Sequence, residues 1–123
     1  MGRDLKTPLE KMAEALVVRD ALRLRELFLE WRRHRGGEEA FAAPRSKDAR
    51  VLAAAGALAE LLAERENLPV PSWAARAGSF ERPFFALAAA ERFKNVRELC
   101  ERESPAALRR HGVLAPANFL EVA

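Results

Sequence analysis

DARVLAAAGALAELLAERENLPVPSW, residues 48–73, is the segment from which the rest of the chain is read. Val51, Leu52, Ala55, Leu58, Ala59, Leu62 and Ala63 recur at the i, i+3, i+4, i+7 spacing of an α-helix. Ala53, Ala54 and Ala57 make its other side small and weakly apolar too. A helix that is apolar most of the way round is buried by neighbours on several sides. Gly56, in its middle, costs about 1 kcal/mol against alanine. That cost suggests another segment approaching closely there, although a substitution without consequence fits equally well. Asp48 is the expected N-cap, with Ser46 as the competing one. Glu60, Glu64, Arg65 and Glu66 make a charged last turn, Asn67 suits the left-handed residue that follows a helix, and Pro69 and Pro71 cannot continue it. Residues 68–73 are therefore an extended, proline-stiffened turn. Trp73 reads first as a plug holding that turn onto the central helix. The other reading is a proline and tryptophan surface for a peptide or a nucleic acid.

Outward from this helix, almost every segment has helical period and caps. Thr7-Pro-Leu-Glu10 is a capping box with proline at the first helical position. The helix it opens runs to about residue 18, with Leu9, Met12, Ala13, Leu16 and Val17 on one face. Asp20 caps a second helix to about residue 35, with Leu24, Leu27, Phe28 and Trp31 as its stripe and Gly36-Gly37 as its end. So little chain separates the two that one bent helix is an alternative. Residues 38–46 are a loop or a frayed turn anchored by Phe41 and Ala42. Ser72 caps a short helix over residues 73–77. Phe80, Phe84 and Phe85 anchor a loop around Pro83, and residues 86–90 are a short helical run. Asn95 caps a helix over 96–103, and Ser104-Pro105 opens another that ends at Gly112. Val113-Leu114 is the one plausible strand, and Asn118 caps a terminal turn over 119–122. The expected architecture is all-α: a single helical domain over residues 1–123, a compact bundle of about five to seven helices, several short, around the central Ala/Leu-rich one.

The 123 residues are 50% hydrophobic and 32% charged, an ordinary globular composition rather than a disordered one. No apolar run spans a bilayer and the first residues, MGRDLKTPLEK, lack a signal-peptide core. A cytoplasmic location with no membrane association is the expectation. One cysteine, Cys100, excludes an internal disulfide and reads as a small buried hydrophobe. The net charge of +3 is mild, and the Ala/Arg/Leu bias looks like that of a GC-rich coding sequence, so arginine content alone says little about nucleic acid.

The densest positive clusters are Arg32, Arg33 and Arg35 beside Trp31 and His34, and Arg109 and Arg110 beside His111. Both fall at helix C-termini, where cations complement the macrodipole. On one shared face they would make a patch for nucleic acid or an acidic partner. The two histidines lack the partner spacing of a metal site. Glu91, Glu98, Glu101 and Glu103 interleave with Arg92, Arg97 and Arg102 as surface ion pairs. The serines sit where caps and turns want them, and Gly36-Gly37 lacks the setting of a phosphate loop. No catalytic constellation, cofactor or metal is expected.

The order ENLPVPSWA, then RPFF, then ESPAALRRHGVLAPANFLEVA resembles a module of actinobacterial-type regulators. There it commonly follows a helix-turn-helix of the Xre type, and no helix-turn-helix is expected among the residues before the central helix here. The resemblance covers roughly residues 10–123 and is most specific in the tail. It implies a regulator-associated, antitoxin-like partner domain, with no catalytic residues to transfer. The leading expectation is thus a non-enzymatic helical protein-interaction module. Its partner would be a protein, with self-association left open, and its surface would be built from Leu68, Val70, Trp73, Phe84, Phe85 and Phe119. The alternative is a small basic nucleic-acid-associated protein acting through the five arginines of the two clusters.

Overall fold

A computed structural model describes residues 6–121. Residues 1–5 and Val122, the last residue of the expected terminal turn, lie outside them. Among the described residues the order is α1 (Pro8–Val17), α2 (Ala21–Arg33), α3 (Ala49–Arg65), a 3-10 turn (Ala74–Arg76), β1 (Phe84–Phe85), α4 (Ala89–Arg92), α5 (Lys94–Glu103), α6 (Ala106–Arg109) and β2 (Val113–Leu114). The fold is mostly helical, as expected. No helix among the described residues is long and apolar enough to cross a membrane.

α3 is the axis. Val51 and every residue from Ala53 to Ala63 are buried. α1 lays Leu9, Met12 and Leu16, all buried, along it, and α6 and the 3-10 turn cover other sides. Alanine-rich flanks let these neighbours come close. At Gly56 the approach is tightest: a Cβ there would stand 2.5 Å from Ala77 Cβ, 2.9 Å from the Ala74 carbonyl and 2.9 Å from His111 Cε1. Close approach, not indifference, explains this glycine.

The caps settle the helix ends. Asp48 Oδ1 accepts from Arg50 N at 2.9 Å, so Asp48 caps α3 and Ser46 in turn accepts from Asp48 N. Asn67 is left-handed at φ 57°, with Leu68 N donating to the Ala63 carbonyl at 2.8 Å. The left-handed residue is the one expected there, and the bond from Leu68 makes the ending a Schellman motif. α1 ends the same way, but on Arg19 at φ 56°, with Asp20 N donating to the Ala15 carbonyl. Asp20 then accepts from Arg23 N to open α2, so α1 and α2 are two helices and not one bent one. Thr7 accepts from Glu10 N, but the Glu10 carboxylate reaches Arg45 N at 2.8 Å and ties down the loop after α2.

Several expected boundaries move. α2 ends at Arg33, with His34 as its C-cap. Ser72 makes no cap, and Trp73 itself precedes the 3-10 turn. α5 starts at Lys94, so Asn95 is inside it. The short run near residue 88 forms as α4, shifted to Ala89–Arg92. Ser104 caps no N-terminus: its hydroxyl donates to the Val113 carbonyl at 3.1 Å and accepts from Ala115 N at 3.3 Å, and α6 begins at Ala106. The expected strand Val113–Leu114 exists. Its partner is Phe84–Phe85, read in the sequence as loop anchors, paired parallel with Phe84 opposite Val113. Gly112 at φ 77° feeds β2 and its carbonyl accepts from Phe84 N at 2.8 Å; a Cβ there would meet Ser79 Oγ at 2.8 Å.

Candidate interaction surface and the buried histidine

Two of the six residues of the expected partner surface are buried. Phe84 is 5% exposed and Phe119 9%. Phe84 stacks on Phe80 at 4.6 Å, and the Arg19 guanidinium lies 4.4 Å from its ring centre. Both phenylalanines are core, because pairing of β1 with β2 turns Phe84 inward and the Arg65 guanidinium holds the tail down. That guanidinium donates to the Phe119 and Ala117 carbonyls. Burial lowers the Arg65 pKa from its ordinary value, with the Glu121 carboxylate opposing. Leu68 and Phe85 are half-buried and Val70 is exposed. Trp73 is half-buried, and its indole N–H donates to the Phe41 carbonyl at 2.9 Å. Trp31 does the same to the adjacent Ala40 carbonyl at 2.7 Å. The two tryptophans thus clamp neighbouring peptides of one loop.

The arginine clusters divide in the same way. Arg35 Nε reaches Glu66 Oε1 at 2.8 Å and Arg32 Nε lies 4.0 Å from Glu66. Arg110 Nε reaches Glu60 Oε1 at 2.9 Å and its Nη2 lies 3.6 Å from Glu64. At 100° per residue, Glu66 lies about 120° to 160° round α3 from Glu60 and Glu64. The clusters therefore grip opposite flanks of one helix rather than one basic face. Arg109 caps α5, donating to the Ser104 carbonyl at 3.1 Å and to the Glu101 carbonyl. Arg33 is exposed.

His111, read in the sequence as a cation at a helix end, is 2% exposed. Its Nδ1 donates to the Gly78 carbonyl at 2.6 Å, since that oxygen can only accept. Its Nε2 meets Glu60 Oε2. One proton therefore lies between imidazole and carboxylate, and Arg110 holds the other carboxylate oxygen. The group joins α3, the turn after the 3-10 segment and the end of α6. Glu60, 7% exposed, and His111 present no open edge to a substrate atom. The available signal was Glu60 itself, a lone acid flanked by Ala59, Leu61 and Leu62. Among the described residues no three His, Cys, Asp or Glu side chains converge as metal ligands. Cys100 is buried, and that burial, with Glu101 adding to it, raises its thiol pKa.

The chain matches no protein-family model, no curated protein and no solved structure. Among the described residues, the large exposed hydrophobic ones are Val18 (72%), Leu22 (70%), Leu29 (37%), Val70 (48%) and Phe93 (53%). Leu22 and Leu29 are both on α2, seven positions apart on one face, and Val18 stands just before that helix. Leu24, Phe28 and Trp31 take the opposite face into the core. Helical period marks the inward stripe; the outward leucine pair carries no such mark in the sequence.

Proposed function

We propose that this chain is a non-enzymatic helical protein-interaction module, of the regulator-associated, antitoxin-like kind that its LPVPSW, RPFF and C-terminal segments resemble. One observation supports this most: α2 turns two leucines outward, 70% and 37% exposed, on a helix whose other face already fills the core. Burying such side chains on a partner is favourable by about 25 cal/mol per Å² of apolar surface. The binding face is thus α2 with Val18, in place of the aromatic surface read from the sequence. The test is co-expression of the tagged chain with the proteins encoded beside it. A regulator or toxin chain should co-purify, and Leu22→Glu should release it while the melting curve stays put. Equal recovery with Leu22→Glu, or no co-purifying neighbour, would count against the reading.

A further inference from the structure

The outer face of α2 carries more than apolarity, and the inference drawn from it rests on the reading just given, that this face binds protein. Leu22, Glu26, Leu29 and Arg33 fall within about 60° of one another round the helix. All four are exposed. Glu26 and Arg33 stand two turns apart, with Leu29 between them, and both lie on the same side of a line drawn along the helix through Leu29. Arg25 and Glu30 flank the face on opposite sides.

We propose that this face pairs with the same face of a second copy of the chain, antiparallel, about a two-fold axis beside Leu29. An isologous interface needs a patch that is its own complement, and charge order supplies it here. The rotation sets the two Leu29 side chains against each other. It brings Glu26 of each copy level with Arg33 of the other, on the same side of the seam, so two ion pairs enclose the leucine contact. Leu22 then lies past the Arg33 end of the second copy's α2. A parallel pair would instead oppose Glu26 to Glu26 and Arg33 to Arg33. One helix pair buries less than the roughly 1,200–2,000 Å² of a standard stable interface, so the dimer is a weak, reversible one.

Sedimentation equilibrium of the full chain tests this. Wild type should show a concentration-dependent monomer–dimer equilibrium, and Leu29→Glu should be monomeric throughout with an unchanged melting curve. Glu26→Arg and Arg33→Glu should each weaken the dimer by about tenfold or more. Combined in one chain they should restore it, and the two single variants mixed should prefer each other. A wild-type chain still monomeric at about 1 mM, a dimer that survives Leu29→Glu, or a double variant as weak as the singles would overturn the proposal. A monomeric chain that still loses a neighbour-encoded partner on Leu22→Glu removes the self-pairing and leaves the interaction reading standing. A charge-reversible dimer that binds no such neighbour removes the regulator-associated reading and leaves the self-pairing.

Discussion

Glu60 and His111 show what single residues decide here. Removing one member of a buried hydrogen-bonded pair leaves the other unsatisfied, at a cost of about 1–3 kcal/mol. Glu60→Ala should lower the urea midpoint accordingly. The double change Glu60→Leu with His111→Leu should recover much of the loss, because replacing both partners of a buried hydrogen bond by apolar groups leaves no polar atom unpaired between them. Gly56→Ala has opposed effects. Helix propensity favours it by about 1 kcal/mol, while overpacking against Ala74, Ala77 and His111 costs about 1–3 kcal/mol. Crowding from backbone oxygen and a pinned ring should win, and thermal melts should show net destabilisation. Gly56 was half legible: a glycine inside an alanine-rich helix asks for a reason, but a substitution without consequence fits the same sequence, and only the contacts of Ala74, Ala77 and His111 decide. The histidine was not legible: its partner is 51 positions away, and local spacing at a helix end gives the same residues a different role. Arg19 was equally hidden. It holds a left-handed backbone because its side chain donates to the Phe85 carbonyl at 2.7 Å, pairs with Glu91 at 3.0 Å and covers the Phe84 ring.

At the scale of elements, the loop between α2 and α3 is fixed from three directions. Trp31, Trp73 and Glu10 each hold a backbone group of residues 40–45. Trp31→Phe leaves the Ala40 carbonyl buried without its donor, a loss of about 1–3 kcal/mol. Trp73→Phe, at a half-buried position, should cost nearer 1 kcal/mol and act locally, speeding tryptic cleavage after the exposed Arg45 more than it lowers the melting temperature. Equal cleavage in wild type and Trp73→Phe would show that the clamp does not order the loop. Long helices were readable from period and caps because both are local. The two-residue strands were half readable: Val113–Leu114 stood out, whereas Phe84–Phe85 acquires strand character only from the segment it meets.

For the whole molecule, Cys100 reports on cooperative opening. It is fully buried, and burial raises its thiol pKa above the ordinary 9.0. The folded chain thus keeps the proton that the unfolded chain releases first. This contribution to stability is present below the ordinary thiol value and is lost as pH rises through the folded one. Wild type should therefore lose more stability than Cys100→Ala on passing into alkaline pH. At pH about 8, labelling of the thiol should follow the rate of global unfolding rather than reagent concentration; fast labelling of the folded chain would show a local path to the core. The sheathing of α3 was foreseen from its composition, since alanine on every side leaves no face for water. The identity of the outward face was not, because leucine in a sequence carries no mark of which way it points.

The parallel contact between β1 and β2 closes a loop in the chain. By joining residues 84–85 to 113–114, it makes everything between them a ring closed by a handful of hydrogen bonds. Closure of such a ring depends only logarithmically on its length, about 0.6 kcal/mol per doubling. The exposed junction of α4 and α5 at Arg92–Lys94 could therefore accept an inserted domain while Gly112 and Phe84 stay in register, which makes this excursion the natural place to graft a reporter.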